Sequence, residues 1–365
     1  MARIAKSGKP SARTASADLL SRVMGNEQPR PETLGRLVRA TLEFDALRPW
    51  TTLHDADVIV YDSPDQPRCY CTVMGAAGQS FGMQTFVGAS GLAAMDLVQR
   101  SGAAAPDNMA LFFEQNYSLV AEMVGREEID SLDRAALFAA GFNPAKGFVP
   151  QFAAMRPGQL RFLPTEQEAA LLADCLTAVN WACRHGQTML ASNPWGKDRN
   201  PVARPGGKDG FVITLERKDA PSRLAPSPKL TAEERKRIDG VPRKRTGVEL
   251  DCFFFGAIGP AMGRKAAGLL ALLVDDGGFV VANEPGAIGQ EGLESVADLL
   301  RNAVLEGIRT IGGVPSRITM RTPELAEQIG ALAQALGIEV RVSPNMPGLD
   351  PARDAFLQAS RQRVQ

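Results

Sequence analysis

The chain has 365 residues, with 41 Lys+Arg against 41 Asp+Glu, so its formal charge is zero. A protein that grips nucleic acid through its phosphates requires a basic excess, and the chain as a whole has none. At 44% hydrophobic and 22% charged it reads as globular, its length suits two domains, and its two histidines, His54 and His185, rule out most metal cages and most His-dependent catalytic sites.

Residues 1–30 carry Arg3, Lys6, Lys9, Arg13, Arg22 and Arg30 against Asp18 and Glu27, which predicts a disordered basic tail. The apolar core of a secretory signal is missing there, while the Arg, Ser and Ala bias is shared with transit peptides. Cys69, Cys71, Cys175, Cys183 and Cys252 are odd in number and show no disulfide spacing, and no run approaches 18 apolar residues. The expectation is a cytoplasmic protein with reduced thiols and no membrane contact.

Residues 31–190 form a first domain of mixed α+β type. Leu34, Leu37, Val38, Leu42 and Leu47 recur near helical spacing up to Pro49. Val58–Tyr61, Cys69–Met74 and Phe81–Val87 are short β-rich runs, the last two separated by a turn and predicted to pair as a hairpin. A helix follows Gly88 and ends near Gly102. Tyr117–Val124 and Phe148–Met155 read as strands on either side of a helix over 131–140. Thr165-Glu-Gln-Glu168 has capping-box form and opens a long helix to about Arg184.

Ser90 sits at a strand-to-helix turn, but Leu92 stands where a nucleophile elbow needs glycine, so an N-cap is the expected role. Cys69 and Cys71 alternate on one strand face without a second pair to complete a tetrahedral site, and read as core residues. His185 closes a helix, where the dipole favours it. Trp50, Asp57, Cys69-Tyr-Cys-Thr-Val-Met-Gly75, Gly78-x-x-Phe81-Gly82, Phe86-x-Gly88 and Gly91-Leu92, with Phe152, Pro157-Gly158 and Pro164 later, resemble an uncharacterised bacterial two-domain family. The resemblance runs from about residue 45 to the C-terminus. Its motifs are turn and core residues, so it implies fold context and no chemistry.

Residues 191–247 are rich in Pro, Gly and basic residues, with ten Lys/Arg against four acids between Arg217 and Arg245, and read as a linker or surface excursion. Within it Phe211–Glu216 alternates like a short strand, and Thr231 heads a capped helical turn. The run Lys229–Arg245 is the one segment through which a nucleic-acid contact is open, but the aromatics that would stack bases are absent from it and a solvated linker is the favoured reading.

Residues 248–365 run strand (249–255), strand (269–274), Asp-Asp-Gly-Gly turn, strand (279–282), helix to about 306, strand (317–320), helix from Pro323, strand (338–342) and helix (351–361). This β-β-β-α-β-α-β-α order resembles the ribonuclease H-like topology. Active members of that group gather carboxylates from the first strand, first helix, fourth strand and last helix around two divalent ions. By position the resemblance implies Asp251, Glu291 or Glu294, and Asp350 or Asp354. The fourth strand offers no acid, and Arg321 at its end places a positive charge there that opposes metal binding. Glu291 and Glu294 also suit a first helical turn, and Asp350 an N-cap before Pro351.

Gly259-x-x-x-Gly263-Arg-Lys265 lacks the spacing of a phosphate loop. Gly286-x-x-Gly289-x-x-Gly292 precedes a helix whose N–H groups are able to receive an anion. The combined expectation is a non-enzymatic protein, without cofactor or metal, that binds a protein or small ligand. The alternative is a metal-dependent phosphodiesterase or nuclease using Asp251, Glu291 and Asp354.

Overall fold

A computed structural model of the chain describes residues 12–102, 107–143, 146–186, 190, 198–206, 210–221, 230–260, 263–289 and 295–364, with backbone alone at 12–14 and 361–364. The first sheet contains β1 (Val58–Tyr61), β2 (Cys69–Met74), β3 (Phe81–Val87), β4 (Ser118–Gly125), β5 (Phe148–Met155), β6 (Arg199–Gly206) and β7 (Gly210–Arg217). Their spatial order is β5-β4-β3-β2-β1-β6-β7. All neighbours are antiparallel except β1 and β6, which pair in parallel through Val60 with Val202 and Tyr61 with Ala203. Side chains alternate across the strands. Ile59, Tyr61, Cys69, Cys71 and Val73 face a core shared with helices α2 (Pro31–Leu47) and α6 (Glu166–His185). Val58, Val60, Tyr70 and Phe86 face the other way, onto α3 (Gly88–Ser101).

Two expectations are corrected. Part of the tail is ordered: α1 (Ala12–Met24) buries Leu20 and Met24 against Leu34 and against Ala135, Ala136 and Ala139 of α5 (Ser131–Ala139). Leu19, Leu20, Val23 and Met24 form an apolar stripe at helical spacing, whose burial outweighs the basic, Ser-rich character around it. The 191–247 segment is likewise not a linker throughout. The strand expected over 211–216 is β7, and with β6 it extends the first sheet, while residues 232–247 belong to the second unit.

The second sheet runs β10-β9-β8-β11-β12, built from β8 (Arg243–Ile258), β9 (Ala266–Asp275), β10 (Val280–Ala287), β11 (Val314–Met320) and β12 (Glu339–Val342). β8, β9 and β10 are mutually antiparallel neighbours, whereas β11 is parallel to both β8 and β12. One face packs on α8 (Val296–Ile311) and α9 (Pro323–Leu336), the other on the start of α10 (Leu349–Val364) through Phe253, Leu272, Met346 and Leu349. The whole is a mixed α+β protein with two sheets.

The halves are interlocked. Leu97 of α3 and Ala110, Leu111 and Phe113 of α4 (Met109–Gln115) lie in the core of the second sheet. The backbone joins as well: Ala267 N–H donates to Gly158 C=O (2.8 Å) and Leu160 N–H to Lys265 C=O (2.8 Å). Among the described residues no helix is long and apolar enough to cross a membrane.

Candidate functional site

β8 and β11 lie side by side, and the chain leaves them in opposite directions, β8 toward β9 and β11 toward β12. Such a reversal leaves a crevice at the carboxyl ends of the parallel strands, where open sheets bind ligands. Asp251 of β8 and Arg321, one residue past β11, meet there. Asp251 is 1% exposed, and its Oδ2 accepts from Arg321 Nε (2.9 Å) and Arg353 Nη1 (3.3 Å), while Oδ1 accepts from Cys252 N–H (2.9 Å). Arg321 also donates through Nη1 to Pro344 C=O (3.0 Å) and through Nη2 to Asp350. Arg353, on α10, covers the Phe253 ring at 5.2 Å and reaches Asp107 (3.5 Å), which comes from the first half of the chain.

Burial pushes the Asp251 carboxyl above its ordinary range, with both guanidiniums pulling the other way. For Arg321 burial also opposes the charge, but its bonds to Asp251 and Asp350 outweigh it and hold the guanidinium above its usual value. Three acids and two arginines thus satisfy one another around the buried Asp251–Arg321 pair, where removing one partner is far costlier than at a surface.

The nuclease set is distributed as follows. Asp251 is enclosed by arginines. Glu291 and Glu294 lie outside the described residues. Asp350 is bonded to Arg321 and accepts from Met346 N–H (3.3 Å), inside the first turn of α10 rather than at its N-cap. Asp354 is exposed on the same helix. Among the described residues no group of three His, Cys, Asp or Glu is placed to hold a metal ion. Asp107 and Arg353 were not singled out by the sequence, since neither stands in a motif and their meeting depends on the docking of the two halves.

The N-terminus of α8 is already supplied with a carboxylate. Ser295 caps Asp298 N–H, and Glu114 of α4 accepts from Val296 N–H (3.2 Å). Burial lifts the Glu114 carboxyl to about 7, the bond to Val296 opposes this, and Asp298 adds to it. The anion position expected after the Gly286–Gly292 stretch is therefore filled by the protein itself. Nearby, Thr322 caps α9 and donates to Asn108 Oδ1 (2.7 Å), and Asn108 Nδ2 reaches Glu324 (3.2 Å).

The basic run is partly consumed by the same kind of contact. Arg243 donates to the carbonyls of Leu336 (2.8 Å) and Gly337 (2.9 Å) at the end of α9, and Lys244 to Ile311 C=O (2.5 Å) at the end of α8. Cations complete helix C-termini in this way. Lys229 lies outside the described residues. Ser90 does not cap α3: its hydroxyl donates to Gln115 C=O and ties α3 to α4. His185 closes α6 as expected, with Nδ1 at 3.1 Å from Trp181 C=O. Cys69, Cys71 and Cys175 are core residues of the first unit, and burial drives the Cys175 thiol well above its ordinary value.

A groove of about 890 Å³ lies between α7 (Ala232–Ile238), the following turn, β10 and α8. Ile238, Val241, Leu305 and Ile308 give it an apolar lining. Its arginines are already paired, Arg237 with Glu233 and Arg309 with Glu306, and its Glu234 is bonded to Arg301.

No curated protein and no solved structure matches the chain. Residues 35–197 match a family model described as Domain of unknown function (DUF7309), and residues 234–357 match one described as Domain of unknown function (DUF6930). The chain thus carries two successive stretches similar to domains of unknown function, which fits a two-domain protein of an uncharacterised family.

Proposed function

We infer that the protein is a non-enzymatic binding protein of the cytoplasm, whose second domain has ribonuclease H-like topology with an ion pair where a nuclease would hold metal. The strand order, with three antiparallel strands followed by two parallel to the first, supports the topology. The observation that carries the functional reading is the engagement of Asp251 by Arg321 and Arg353. Two divalent ions demand several carboxylate oxygens in one place, and guanidinium groups within about 3 Å of the central one compete with them. Five unpaired cysteines, four of them buried, suit a reducing compartment.

The test is incubation of the purified protein with Mg²⁺ or Mn²⁺ and labelled single- and double-stranded DNA and RNA. The expected result is no cleavage and no metal-induced rise in melting temperature. Cleavage that disappears in Asp251→Asn would establish the nuclease alternative instead. Nucleic-acid binding by Lys229–Arg245 has weaker support, because Arg243 and Lys244 serve helix ends. It predicts salt-sensitive association lost in Arg235→Ala/Lys236→Ala, two exposed residues that leave those caps intact.

A further inference from the structure

We propose that the groove between α7, β10 and α8 binds a small aliphatic amine, with the ammonium held by Glu284 and the hydrocarbon chain lying along Ile238, Val241, Leu305 and Ile308. The inference rests on the binding reading above and names the chemical class of the ligand. A volume of about 890 Å³ exceeds what one water or ion fills, and lies in the range of small-molecule sites.

Charge decides which molecule suits it. Once Glu234, Arg237 and Arg309 are counted with their partners, the ionisable groups left in the lining without a side-chain partner among the described residues are Glu284 and Asp239. Both are acids, so the groove offers net negative charge over an apolar surface. Glu284 stands on β10 and Glu306 on α8, which packs across that strand. Burial, and secondarily the charge of Glu306, push the Glu284 carboxyl above its ordinary range. A cation at Glu284 relieves both effects, whereas an anion would worsen them. An ammonium brings three donors, and Asn302, also in the lining, carries an amide oxygen able to accept one of them. The hydrocarbon part replaces water against four apolar side chains.

The experiment is calorimetric titration of the full chain with hexylamine, hexanol and hexanoate. Saturable binding of hexylamine, at least tenfold stronger than that of hexanol and with none for hexanoate, is the expected result. Glu284→Gln is expected to weaken hexylamine at least tenfold while leaving the melting temperature unchanged or slightly higher, since the carboxylate it removes has no side-chain partner among the described residues and is held above its ordinary range. Leu305→Asn is expected to weaken hexylamine and hexanol alike. The amine assignment is overturned if hexylamine fails to saturate, if hexanol or hexanoate binds as well, or if Glu284→Gln is without effect. These results leave the broader binding reading standing, because that reading falls on metal-dependent cleavage and not on the identity of the ligand.

Discussion

Each nitrogen of the Arg321 guanidinium has its own acceptor: Nε has Asp251, Nη1 the Pro344 carbonyl and Nη2 Asp350. A planar fork meets all three at once, and an ammonium does not. Arg321→Leu is therefore expected to cost about 3–5 kcal/mol in urea unfolding, because Asp251 stays buried with one cation fewer. Arg321→Lys should recover only part of that loss. Glu114 gives the opposite sign. Its carboxyl rises from 4.5 to about 7 on folding, so the folded protein keeps a proton that the unfolded chain releases. Its contribution therefore weakens as pH rises from about 4.5 to about 7 and is constant above that. Glu114→Gln keeps the acceptor for Val296 N–H and removes the titration. Relative to wild type it should gain about 2–3 kcal/mol between pH 5 and pH 8, read from urea midpoints at each pH.

At the scale of elements, Gly158 sits where the two sheets meet, with φ +73° and a would-be Cβ 2.5 Å from the Ile288 carbonyl oxygen. Gly158→Ala combines an unfavourable backbone conformation with a backbone clash. It should lower the melting temperature by several degrees, more than Gly141→Ala, where φ is +78° but the space is open. Leu20→Ala in α1 should cost about 2–4 kcal/mol, a loss that a disordered tail would not register. The elements differ in how plainly the sequence announces them. α6 and α7 begin at capping boxes, β2 and β3 are short runs with β-branched and aromatic residues on either side of a Gly-containing turn, and β9 holds the apolar run Leu269–Val274, so these were legible from local signals. β6 was not: Pro201 and Pro205 lower its β-propensity, and its pairing with β1 is confined to Val202 and Ala203 between them. α4 has seven residues, too few for a helical period to stand out. Of the candidate site, the acid at Asp251 and the misplaced charge at Arg321 could be read from one strand each. Asp107 and Arg353 could not, because they stand 246 positions apart and tertiary docking alone joins them. The groove draws on α7, β10 and α8, and the Glu/Arg-rich α7 carries the same composition as a solvated linker.

For the whole molecule, shared core residues predict that the halves unfold as one cooperative unit. Removing the second domain would uncover Leu97, Ala110, Leu111 and Phe113, and removing the first would leave Asp251, Arg321 and Arg353 without Asp107. The three tryptophans, Trp50, Trp181 and Trp195, all precede residue 230, so fluorescence follows the first half while far-UV circular dichroism follows both. The two urea transitions should coincide, and a dichroism transition displaced from the fluorescence one would indicate independent domains. A fragment ending at residue 221 should bind ANS strongly through the uncovered α4.

The position of α4 in the chain also has a consequence for synthesis. It ends at Gln115, whereas the helix it packs beside, α8, begins at Val296. Roughly 180 residues must be translated in between, which at about 5–20 residues per second leaves the apolar face of α4 uncovered for roughly 10–40 seconds on the ribosome. For that interval the nascent first domain carries a sticky surface that only the last third of its own chain can cover, and the demand for chaperones should peak there.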